Sequence, residues 1–156
     1  MMKLKKNRGF TLLEVMIALF VLSVGMLGST AMMLRGQTEA TKINYSSTAT
    51  QLASTMAEMM RSNITGVEAG AYNGLDSTVA DPGCISTGCS AANIAAYDGY
   101  IWGWMLNEYL PDGSGNVRGA GADSVFTITI EWTETQRTGN DTGVEVTQNY
   151  TMKFQP

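Results

Sequence analysis

The feature that most restricts how this chain can fold is a stretch without charge. From Val15 through Leu34 there are twenty residues and no Asp, Glu, Lys or Arg. As a helix such a run is about 30 Å long, which matches the hydrocarbon thickness of a bilayer. Lys3, Lys5, Lys6 and Arg8 come before it, and Glu14 stands at its very start. A carboxylate in a membrane helix costs roughly 2.5–3.5 kcal/mol at the centre and less near an end. One placed there usually has a partner. Three simpler readings compete with an assembling helix: a buried helix of a soluble protein, an uncleaved anchor, and a secretory signal cut near Ser29-Thr30-Ala31. The run is long for the first, and Glu14 inside the apolar region speaks against the last.

The junction reads Gly9-Phe10-Thr11-Leu12-Leu13-Glu14. With its basic leader it resembles the class III signal of type IV prepilins and type II secretion pseudopilins. The resemblance implies that a membrane prepilin peptidase cuts after Gly9 and methylates the new amine of Phe10. It implies also that Glu14 pairs with the N-terminus of a neighbouring subunit. The chemistry suits those roles. Gly9 lets a peptidase approach its carbonyl, and cleavage leaves an ammonium on an apolar helix. A helix start has free N–H groups and a positive dipole end, so a nearby anion is favoured. Spacing alone does not decide whether Glu14 serves its own chain or a neighbour.

Charge gives an orientation. Cations flanking a span stay in the cytoplasm, so the rest of the chain is expected across the inner membrane, in the periplasm. Beyond Leu34, six basic residues stand against thirteen acids, a net −7. Such a surface repels phosphate backbones, so no nucleic-acid partner is expected. Cys84 and Cys89 are the only cysteines. In an oxidising compartment they would pair, closing a short loop worth roughly 2 kcal/mol in the chain-entropy model. Four residues lie between them, where redox pairs usually have two. Histidine is absent, so neither a metal site nor another cofactor is expected.

No proline occurs before Pro82. Ala40, Ile43, Ala49, Leu52, Ala53, Met56, Met59 and Met60 recur mostly at threes and fours, the mark of one helical face. The pattern predicts one helix from about Phe10 to about Ser62, with Gly25, Gly28 and Gly36 as weak points. Gly25, Gly28 and Ser29 are small enough for neighbouring helices to approach. Residues 63–96 read as a long connecting loop, a candidate for a partner-dependent surface. Asp98 to Leu110 reads as a short helix capped by Asp98, with Gly103 as an interruption. Tyr97, Tyr100, Trp102 and Trp104 are expected in core and head–helix packing rather than in a ligand platform. Phe126, Ile128, Ile130 and Trp132 alternate with polar residues, as do Val144, Val146, Tyr150, Met152 and Phe154 around Gln148. A turn at residues 138–143 makes these two strands a hairpin, to which Asn116-Val117-Arg118 adds a short third strand.

Catalytic patterns are weak. Asp141-Thr142-Gly143 has the letters of an aspartic-protease site but falls in the expected turn, without a second carboxylate. Gly113-Ser114-Gly115 lacks the strand and third glycine of a nucleotide loop. Asp112, Asn116 and Asp123 lack calcium-loop spacing. The order of helix, Gly-rich turn and Trp132-ended strand further resembles PilV-type minor pilins, and nearly as well the minor pseudopilins of the I type. Major pilins typically carry a helix-breaking proline that is missing here.

The expected architecture is therefore α+β and pilin-like: a long N-terminal transmembrane helix packed on a small antiparallel sheet head. Residues 1–9 are the expected leader, 10–34 the membrane and assembly helix, 35–62 its amphipathic continuation, and 63–156 the periplasmic head. The expected role is a non-enzymatic minor pilin, held in the inner membrane and then built into the pilus with other minor pilins and the major pilin. A type II secretion pseudopilin and an adhesive tip subunit are the alternatives.

Overall fold

The computed structural model describes residues 10–84, 88–119, 124–137 and 143–156. Helix α1 runs Leu12–Ser62, 51 residues without interruption. Two compact units divide it, one up to Thr41 and one from Lys42 to Pro156.

In the first unit every described residue is exposed. Among the described residues, none covers the apolar side chains from Leu12 to Leu34. Two hydroxyls of this stretch bond to their own helix: Ser23 donates to the Leu19 carbonyl at 2.8 Å and Thr30 to the Met26 carbonyl at 2.9 Å. A Cβ at Gly25 or Gly28 would have no neighbour within 4 Å. Their smallness therefore answers to nothing inside this chain.

The second unit has a core. Its stretch of α1 buries Ala49, Leu52, Ala53, Met56, Ala57 and Met60, a helical stripe of threes and ones that repeats each turn. A short helix α2 (Ile64–Glu68), a longer helix α3 (Ala91–Tyr109) and three strands complete it. Strands β1 (Ser114–Arg118), β2 (Phe126–Arg137) and β3 (Gly143–Phe154) form an antiparallel sheet in the order β1-β2-β3. Registers such as Val117↔Ile128 and Phe126↔Phe154 put Val117, Phe126, Ile128, Ile130 and Trp132 on one buried face. That face and the α1 stripe belong to one hydrophobic cluster. The fold is thus the expected α+β arrangement of long apolar helix and small antiparallel sheet. Of the turn expected at residues 138–143, residues 138–142 lie outside the described residues, and Gly143 begins β3.

Two expectations are corrected. Residues 63–96 are not one loop. Asn63 caps α2, accepting the N–H of Gly66 at 3.2 Å, and Val67, Tyr72 and Leu75 are core residues. The segment then runs beside β1: Val117 donates to the Leu75 carbonyl at 2.8 Å and Ser77 to the Gly115 carbonyl at 3.0 Å. The second helix starts at Ala91 instead of Asp98 and is capped by Ser90, which accepts the N–H of Asn93 at 3.3 Å. The interruption feared at Gly103 is a close approach. A side chain there would overlap the Ser77 carbonyl oxygen, so only glycine lets α3 lie against this segment. Gly115 likewise makes room for the Trp102 ring.

Candidate functional site

The N-terminal end of α1 is set by Thr11. Its carbonyl accepts the N–H groups of Glu14 at 3.1 Å and Val15 at 3.3 Å. Its hydroxyl accepts the N–H of Glu14 at 3.3 Å. Thr11 is therefore the N-cap and Glu14 the third helical residue, the spacing of a Thr-x-x-Glu capping box. The Thr11-Leu12-Leu13-Glu14 spacing carries that signal in the sequence itself. The geometry gives Glu14 two favourable features: it sits in the first turn, where the dipole favours an anion, and it is exposed. Among the described residues its carboxylate has no ion-pair partner. Phe10 is exposed beside it, while Gly9 and the basic leader lie outside the described residues. Among the described residues the site is thus an acid without an ion-pair partner at the mouth of an exposed apolar helix, suited to receive a cation.

Residues 4–30 match the family model described as the prokaryotic N-terminal methylation motif. The chain carries a prepilin-type methylation signal. This motif indicates a type IV pilin or pseudopilin at the N-terminal segment. With the apolar α1 it fits a membrane-anchored subunit. The match is confined to the N-terminal segment and does not separate pilus from secretion subunits. Comparisons with curated proteins and with solved structures gave no match.

The remaining residues singled out in the sequence fall in the head. Cys84 and Cys89 are joined by a disulfide, Cα to Cα 5.2 Å, just before α3. Residues 85–87 between them lie outside the described set. Asp98 is not a cap. It accepts the hydroxyl of Tyr72, which in turn accepts from the Asn63 amide at 3.1 Å. The same amide donates to the Ala91 carbonyl at 2.8 Å. This chain ties the end of α1 to both ends of the 63–90 segment. Burial, then the Asp98 bond, pushes the Tyr72 hydroxyl well above the ordinary tyrosine range. Burial also raises Asp98, while the Tyr72 bond pulls it back. Such a fully bonded buried network specifies structure. Sequence reasoning missed it because Asn63 and Tyr72 stood in a segment read as loop.

The aromatic residues separate. Trp102 is wholly buried and its indole donates to the Leu52 carbonyl of α1 at 3.0 Å. Trp132 is buried and donates to Glu134 at 2.8 Å. That bond explains how Glu134 stays on the inner face of β2. Tyr100 and Trp104 are exposed, against the expectation of core packing. Gly113-Ser114-Gly115 leads into β1 and not into a helix. Asn116 bridges to Asp76 in the sheet, and Asp123 and Asp141 lie outside the described residues.

Proposed function

We propose that this protein is a minor type IV pilin whose helix α1 is its assembly surface. The single observation behind the proposal is the apolar stretch of α1, exposed among the described residues, opened by Glu14 and beginning within the methylation motif. Peptidase cleavage after Gly9 would create an ammonium on Phe10, which is then methylated. Glu14 of one subunit would take up that charge on a neighbour. In lipid-like surroundings an opposite charge nearby strongly favours both ionised groups. The leader's cations favour a head in the periplasm before assembly. The unbroken helix, free of the proline usual in major pilins, supports a minor subunit, one that helps to start or modify the filament beside other minor pilins.

Intact-mass analysis of mature protein should give a chain beginning at Phe10 with one added methyl group. A chain beginning at Met32 would support a secretory signal instead. Replacing Glu14→Ala should leave cleavage intact and sharply lower the amount of protein in sheared pili. Normal incorporation of that variant would remove the pairing role. A minor pseudopilin would use the same N-terminus for protein export. Gene neighbours of the pilus or of the secretion machine separate the two.

A further inference from the structure

One face of the head is used neither by its core nor by the assembly helix. On α3, Tyr100 and Trp104 are four residues apart and so neighbours on one helical face. They are 36% and 57% exposed. They border a groove of about 420 Å³ together with Ser77, Thr78, Asn107 and Ser114. The volume falls within the range of small-molecule clefts. Gly103 and Gly113 contribute no side chains to it.

Its polar groups are already oriented. The Ser77 hydroxyl accepts the N–H of Gly115 at 3.1 Å, which leaves its own proton to donate. The Thr78 hydroxyl donates to Asp76 at 2.6 Å, which leaves its lone pairs to accept. The Asn107 amide offers donor and acceptor together, and among the described residues it has no partner. No charged side chain is among the described residues that line the groove. Phosphate and carboxylate ligands would therefore find no counter-charge there, and the Asp76 carboxylate beside the groove is engaged by the N–H and hydroxyl of Thr78.

We propose that this groove binds a neutral saccharide, with one sugar ring stacked on Trp104 and its hydroxyls held by Ser77, Thr78 and Asn107. An aromatic face is electron-rich and attracts the slightly positive C–H face of a sugar. Sugar hydroxyls donate and accept at once, as the groove's fixed donor, fixed acceptor and amide require. A protein partner anchored on Trp104 would ask for a surround that excludes water. The hydroxyl and amide surround is the opposite. The inference stands independently of the filament reading.

The test uses the full chain in a detergent without a sugar headgroup, since a maltoside would compete for the groove. Binding is first screened on an array of neutral and acidic glycans, then titrated by tryptophan fluorescence. Trp102 and Trp132 are buried, so the response reports on Trp104. At least one neutral glycan should bind saturably. Trp104→Ala should weaken it by about tenfold or more, in keeping with the loss of an aromatic stacking platform, and Asn107→Ala by a smaller factor. Circular dichroism should be unchanged in both, because both side chains are exposed. The proposal is overturned if no neutral glycan binds, if only sialylated or phosphorylated glycans bind, or if Trp104→Ala binds as the parent does. It is equally overturned if the variant loses a protein partner while no glycan binds.

Discussion

Helix α1 contains two regions that obey different rules. Up to Thr41 it is apolar on every side at first and buries nothing. From Ala49 to Met60 it buries one stripe and leaves the other faces to water. A helix that is apolar all round belongs in lipid or among other helices, whereas a striped one belongs against its own core. The first region is therefore written for surroundings that this chain does not supply. The second is written for the head, and substitutions should tell the two apart.

The largest contrast should come from the core contact of the second region. Trp102→Ala removes a fully buried indole and its bond to Leu52, and should cost about 3–5 kcal/mol in head stability. Chemical denaturation followed by circular dichroism measures it. A loss near zero would mean that the head does not depend on its helix. Next in size, replacing both Cys84 and Cys89 by serine should cost about 2 kcal/mol, from the entropy of a short closed loop. The same experiment run under reducing conditions on the parent protein should reproduce that loss.

A third test follows pH. Tyr72 keeps its proton in the folded head above the ordinary tyrosine value, whereas the unfolded chain releases it near pH 10. Above that point the folded state binds the extra proton, so stability falls as pH rises. The decline should approach about 1.4 kcal/mol per pH unit for the single proton. Tyr72→Phe should abolish that slope, although it also lowers stability at neutral pH by removing the Asn63 and Asp98 bonds. Asp98 acts in the same sense at acid pH: its raised folded value makes its contribution full below the ordinary aspartate range and lost as pH rises through the folded value. The smallest expected effect is the most telling. Leu22→Ala should leave the head's denaturation curve within about 0.5 kcal/mol of the parent. A large effect would mean that the first region is covered by the head after all.

The sequence made the first region legible because its signal is crude and long. Twenty residues without charge, a leader of cations and one acid need no tertiary context. The sheet was legible too, since alternation in residues 126–132 and 144–154 has a period that only a strand satisfies. What escaped were features decided by contact. Ala91 to Ala96 looked like more loop because its small residues form no stripe, yet Ser90 caps it and Ala95 is buried. Gly103 looked like a break and is a point of approach to Ser77. Glu134 lies beyond the alternation that ends at Trp132, and only its bond from the Trp132 indole shows why it is buried. Trp102 and Trp104 are two letters apart, and only the direction of α3 shows that one is core and the other faces outward.

The hydroxyls of Ser23 and Thr30 have one more implication. Each is already bonded to a carbonyl one turn back. On the proposed assembly reading, neither of these two hydroxyls would have a partner to surrender as the rod passes from lipid to other rods. The choice of neighbour would then fall to the charge at Glu14.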